Sequence, residues 1–159
     1  MPLSASILTR LQHQHETIGE LIGGLDEQAL RRNVNPGKWS ALDNIAHLAC
    51  YQPVFLHRLE RIRAENSPAF DRYVADSDPA FPAYQQSPPG ELLAGLREQR
   101  SVICSKLQGM DETGLRRTGL HPRFGLLDVR QWSEFFLLHE AHHLYTLFSL
   151  VQEVRKPAR

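Results

Sequence analysis

Trp132-Ser133-Glu134-Phe135-Phe136-Leu137-Leu138-His139-Glu140-Ala141-His142-His143-Leu144-Tyr145-Thr146-Leu147-Phe148-Ser149-Leu150-Val151 is an apolar run with three histidines at its centre. Its large apolar residues recur at helical spacing. Trp132, Phe136, His139, His143, Thr146 or Leu147, and Leu150 follow one seam. His139 and His143 are four apart, so on a helix one lies above the other on the same face. That seam is where core residues belong. Buried polar groups need partners, and a shared metal ion supplies one to both imidazoles. One helix then gives two ligands, and at least one more must come from elsewhere in the chain. His142, three residues after His139, is the other member of the cluster. The i, i+4 pair stays closer to the apolar seam, so His143 is preferred and His142 is left as an outer contact or a surface residue.

The same five residues satisfy the H-E-x-x-H pattern of zinc metalloproteases, in which the glutamate is the general base. The rest of the chain argues against that reading. The glycine and histidine that metzincins carry downstream are missing, Glu153 is the only acid after Glu140, and no segment has the strand needed to hold a peptide. Glu140 also lies about 100° around the helix from His139, which predicts a surface position or a hydrogen bond to a neighbour.

Upstream, the chain reads as three further long helices. Leu8, Leu11, Ile18, Leu21, Ile22 and Leu25 form one stripe of a helix over 3–25, which Gly23-Gly24 ends. His13 and His15 face different sides of it and are expected in solvent. Ser40 caps a second helix over 41–64, with Asp43 completing a capping box. Its stripe is Ala41, Ile45, Leu48, Phe55, Leu59 and Ile62, interrupted by Gln52, and Pro53 is expected to kink or break it. The third helix carries Leu92, Leu93, Leu96, Val102, Ile103 and Leu107, with Ser87 as the expected N-cap and Gly109 as its end. Asp128 caps the fourth. Between the second and third helices, 65–89 holds five prolines and no period. It reads as a crossover or a flap, with Phe70, Tyr73, Phe81 and Tyr84 to pack it down.

Asp26-Glu27-Gln28-Ala29-Leu30-Arg31-Arg32 and Asp111-Glu112-Thr113-Gly114-Leu115-Arg116-Arg117 match at Asp-Glu, Leu and Arg-Arg. Each follows a long helix and precedes a loop and a second, histidine-bearing helix. The expected fold is therefore all-α: a four-helix bundle of two related helical hairpins, with a long crossover between helices 2 and 3. The 159 residues fit one domain spanning 1–159. If the hairpins are related, the second helix should serve the same site as the fourth, and it offers His47. His47, His139 and His143 are the candidate metal ligands. Three imidazoles leave a fourth position for water or substrate, as catalytic zinc sites do. Asn44, Tyr51 and Glu140 are candidates for contacts that orient a ligand imidazole. Arg123 reads first as an ordinary surface arginine, with approach to an anionic substrate as the alternative.

Eighteen Lys and Arg balance eighteen Asp and Glu, so nothing points to nucleic acid as a partner. No apolar run is long enough to span a bilayer, and no signal peptide is visible, which predicts a soluble cytoplasmic protein. Cys50 and Cys104 read as buried, reduced thiols.

Three stretches carry a family resemblance. They are Gly37-Lys38-Trp39-Ser40-Ala41-Leu42-Asp43-Asn44-Ile45-Ala46-His47-Leu48, then His121-Pro122-Arg123-Phe124-Gly125 with 128–132, and His139-Glu140-Ala141-His142-His143-Leu144. In order and spacing the chain resembles the DinB-like superfamily of metal-binding four-helix bundles, which includes YfiT-like proteins and thiol-dependent transferases. The resemblance implies that His47, His139 and His143 bind a divalent ion, commonly zinc or nickel. It implies an S-transferase using a low-molecular-weight thiol such as bacillithiol, mycothiol or glutathione, or a hydrolase, acting on a small molecule, and a possible homodimer. The alternative reading is a non-catalytic, metal-stabilised or metal-sensing dimeric bundle.

Overall fold

The computed structural model describes residues 2–157. The first bundle helix is built in three pieces: α1 (Ala5–His13), a 3-10 turn (Gln14–Glu16) and α2 (Thr17–Ile22). Ser4 caps it, its side chain accepting from the Ile7 amide. The 3-10 turn falls where Gln14 reaches across to the last helix, so the period tightens at a polar contact. His15 in this turn is 8% exposed, a correction to the solvent position expected for it; His13 does lie in solvent, beside Glu16.

Short α3 (Glu27–Arg31) leads to α4 (Ala41–Ala64), whose Ser40–Asp43 capping box is formed. α4 runs unbroken through Pro53. The ring costs one backbone hydrogen bond, but Leu48, Phe55 and Leu59 on either side are buried, and that packing holds the helix together. The crossover is more ordered than its composition suggests. It carries a 3-10 turn (Ala75–Ser77) and α5 (Phe81–Gln86), with Phe70 and Phe81 buried. Ser87 ends α5, its Oγ donating to the Ala83 carbonyl, and so is not the cap of the next helix. Pro88 holds that position, and Pro89 opens α6 (Pro89–Gln108).

α7 (Glu112–Arg116) repeats α3. Asp26 and Asp111 cap them alike, accepting from the amides of Ala29 and Gly114 at 2.8 and 2.7 Å, and Leu30 and Leu115 are buried beneath. A hairpin then departs from the strand-free reading: β1 (Thr118–His121) pairs antiparallel with β2 (Gly125–Asp128), Leu120 opposite Leu126. Strands of four residues are too short for alternation to register. Gly125 turns the chain at φ 76°. Gly119 is required for a different reason. A Cβ there would come within 2.8 Å of the Phe70 ring and 2.9 Å of Ile62. The Asp128–Gln131 capping box starts α8 (Val129–Arg155).

α4 packs on both α6 and α8. The core has two apolar halves, one around Ile18, Ile45, Leu96 and Val151, the other around Leu11, Phe55, Ile103 and Trp132. Between them lies a polar layer. Arg100 and Glu140 form an ion pair there, 1% exposed each. Arg100 also donates to Gln52 Oε1 (3.1 Å) and the Leu11 carbonyl (3.2 Å) and lies 3.5 Å from His15 Nδ1. Gln14 donates to Glu140 Oε1 at 3.0 Å. All four long segments meet in this layer, and every buried charge in it is matched. Among the described residues no helix is long and apolar enough to cross a membrane.

Candidate metal centre

His47 comes from the second turn of α4, fixed by the capping box, and His139 and His143 from successive turns of α8. The structure brings the three together: one nitrogen from each ring falls in a group whose members lie within 4.8 Å of one another. His47 Nε2 and His139 Nε2 are 2.9 Å apart. His143 Nδ1 lies 3.0 Å from Asn44 Oδ1, and the Asn44 amide nitrogen donates to the Ser40 carbonyl at 2.9 Å. That second bond orients the amide, so its oxygen faces His143 and Nδ1 carries the proton. His143 Nε2 is thereby left as a lone-pair donor.

Burial pushes all three imidazoles below their ordinary pKa. His47 falls to about 4, with Asp76 opposing the effect. His139 falls to about 2, with His143, His47, His142 and Arg58 adding to burial, and His143 to about 3, with His47 and His142 adding. Near neutral pH each ring is an uncharged ligand. Three neutral imidazoles crowded into one place, two with nitrogens nearly in contact, suit a divalent ion of the zinc, nickel, copper or iron kind. Among the described residues the buried Nδ1 atoms of His47 and His139 have no hydrogen-bond partner.

The cluster opens into a pocket of about 660 Å³, in the range of small-molecule sites. Trp39 leans over it, its ring 5.1 Å from that of His47 and 6.3 Å from that of His143. Tyr51 and Tyr73 flank it, at 4.4 Å from His139 and 5.8 Å from His47. Trp39 Nε1 donates to Asp76 Oδ1 across the crossover at 3.3 Å.

Of the predicted contacts, Asn44 reaches a candidate ligand by hydrogen bond, whereas Tyr51 meets His139 through its ring. Glu140 points away, into the Arg100 pair, which removes both the outer-contact role and the metalloprotease reading. His142 is exposed, its ring 5.3 Å from that of His143. Among the described residues no fourth His, Cys, Asp or Glu joins the group. Cys50 is buried and Cys104 half-buried, and neither is joined in a disulfide among the described residues. Arg123 lines the pocket. Arg58, Tyr73 and His121 also line it, and the sequence alone does not single them out as site residues. For Arg58 a signal exists: it follows Phe55 by three and precedes Ile62 by four, on the buried face of α4.

The fold and the cluster together define a class, a four-helix bundle with a candidate three-histidine metal centre on two facing helices. Residues 10–147 match the family model of the DinB superfamily, and the chain belongs to that superfamily. Among solved structures it is similar to YfiT from Bacillus subtilis, described as a probable metal-dependent hydrolase with an unusual four-helix bundle topology. The TM-score is 0.79 at 16% identity, over 92% of this chain and 85% of that one. It is also similar to TT2238, a four-helix bundle protein, with a TM-score of 0.65 at 24% identity over 91% and 97%. A comparison with the curated proteins returns no match.

Proposed function

We propose that this protein is a metal-dependent enzyme of the thiol S-transferase or hydrolase type, with His47, His139 and His143 as ligands to zinc or nickel. The observation that carries the reading is the convergence of three neutral imidazoles, from two helices, on the wall of a small-molecule-sized pocket. A divalent ion held there would lower the pKa of a bound thiol or water and supply a nucleophile near neutral pH. The residues do the rest. His47, His139 and His143 are kept uncharged by burial, Asn44 fixes one of them in a single tautomer, and Trp39, Tyr51 and Tyr73 give the site apolar walls. The description of YfiT as a probable metal-dependent hydrolase supports the same direction. The substrate is a small molecule, and a low-molecular-weight thiol is the expected cosubstrate of the transferase form.

A second reading draws on the position of the cluster. It joins α4 to α8, so a bound ion would staple the two hairpins without any turnover. Metal analysis of wild type beside His47→Ala, His139→Ala and His143→Ala tests the ligand set; equal metal content in all four proteins rules it out. A screen of electrophiles with bacillithiol, mycothiol or glutathione, and of hydrolysable esters and amides, separates the two readings. Metal without turnover favours the staple.

A further inference from the structure

We propose that Arg58, with Arg123 and the Nε2–H of His121, forms a seat for an oxyanion, a carboxylate or phosphate, carried by the substrate of the histidine centre. This deepens the function proposed above and rests on it. The starting point is Arg58, which is 7% exposed. Its guanidinium donates to the Tyr51 hydroxyl at 3.0 Å and the Asp71 backbone carbonyl at 2.9 Å, both neutral acceptors. It lies over the rings of Tyr51, Phe70 and Trp132 at 5.8, 5.6 and 5.5 Å. Among the described residues it has no carboxylate partner. The other deeply buried arginine, Arg100, has Glu140. A buried cation without a counter-ion is costly, and a fork of N–H groups matches an oxyanion in shape and charge.

Two neighbours in the same pocket reinforce the seat. Among the described residues Arg123, at the rim, is likewise unpaired by any acid, its guanidinium 5.3 Å from the Phe124 ring. His121 is 9% exposed, and its Nδ1 accepts from the amides of Arg123 (3.1 Å) and Phe124 (3.2 Å). Nδ1 is therefore unprotonated, and the neutral ring carries its proton on Nε2 as a donor. Two aspartates, Asp71 and Asp76, also line the pocket. Asp76 is engaged by Trp39, and Asp71 meets Arg58 through its backbone. The Tyr51 ring lies between the seat and the metal centre: its hydroxyl is held by Arg58, and its face lies 4.4 Å from His139. An anion on Arg58 thus places the next few bonds of the same molecule beside the histidines.

The test is a titration of inorganic phosphate, and separately of acetate, followed by the histidine and arginine side-chain resonances. It is run on the protein as purified and after metal removal. The expected result is saturable movement of the His121 and Arg58 signals in both forms. Arg58→Gln should weaken binding about tenfold or more, as loss of a charge-assisted pair does. Arg123→Gln, at the rim, should weaken it by a smaller factor, and it keeps the test decisive where Arg58→Gln disturbs the core. The relative response to phosphate and acetate tells which oxyanion is seated. Binding that vanishes with the metal places the anion on the ion and overturns the seat while leaving the metal reading intact. No binding of either anion, or affinity unchanged in Arg123→Gln, also overturns it. Binding retained without metal and lost in the variants supports the seat even if the histidines prove to hold no ion.

Discussion

Asn44 Oδ1 lies 3.0 Å from His143 Nδ1, and this single hydrogen bond decides which nitrogen of that ring faces the other histidines. Contacts of this kind hold a ligand imidazole in one tautomer, and their loss typically costs about 10–100-fold in metal affinity. Asn44→Ala is expected to weaken metal binding within that range while leaving the helix intact. Chelator competition on the purified variant measures it, and wild-type affinity would assign Asn44 a purely structural role.

Arg100 and Glu140 predict an asymmetric mutational response. Glu140→Ala strands a buried guanidinium and should destabilise by roughly 3–5 kcal/mol. Replacing both, Arg100→Met with Glu140→Leu, should recover most of that loss. Chemical denaturation of the single and double variants gives both numbers. Metal content per folded molecule should be unchanged in Glu140→Ala, since the carboxylate faces away from the histidines. Loss of metal there would revive the metalloprotease reading.

His15 links stability to pH. Burial first, then Arg100, lowers its pKa from 6.5 to about 4. Above pH 6.5 the ring is neutral folded and unfolded, and the stability is fully present. As pH falls from 6.5 towards 4 the unfolded chain takes up a proton that the folded one refuses, and stability is lost at up to about 1.4 kcal/mol per pH unit. Denaturant midpoints of metal-free protein at about pH 7, 6 and 5 should fall more steeply for wild type than for His15→Gln. Parallel slopes would contradict this.

Gly119 should tolerate no side chain. With Phe70 and Ile62 at 2.8 and 2.9 Å from where its Cβ would stand, Gly119→Ala forces the hairpin away from α4 and should cost about 1–3 kcal/mol, the usual range for overpacking. Thermal unfolding gives the value, and an unchanged melting temperature would mean that the hairpin yields freely.

The long helices and the histidine cluster are legible because their signals are local and periodic. Ser40 and Asp128 cap the helices the sequence assigns to them, and the Asp26 and Asp111 segments fold alike. The repeat also points from His139 and His143 back to His47, 92 positions before His139. The hairpin is not legible, since four residues cannot display a period and its anchors, Phe70 and Trp132, lie outside it in sequence. The surface alternative for Glu140 and the solvent position for His15 fail for a shared reason. Helical phase says which way a residue points but not what waits there, and their partner Arg100 sits on a third helix. Taken together, Gln52, Arg100 and His15, each interrupting an apolar stripe, are the trace of that layer.

That layer has a mechanical consequence. Sliding any one long helix by a turn, about 5.4 Å, would set a charge or an amide against aliphatic side chains in both halves of the core. The ion pair therefore acts as a keyway that admits one axial setting of the four helices. His47 stands five residues before Gln52 on α4, and His139 adjoins Glu140 on α8. The alignment of imidazoles from opposite hairpins is thus indexed by a lock in the core, whose side chains are bonded to one another and to the Leu11 and Leu137 carbonyls.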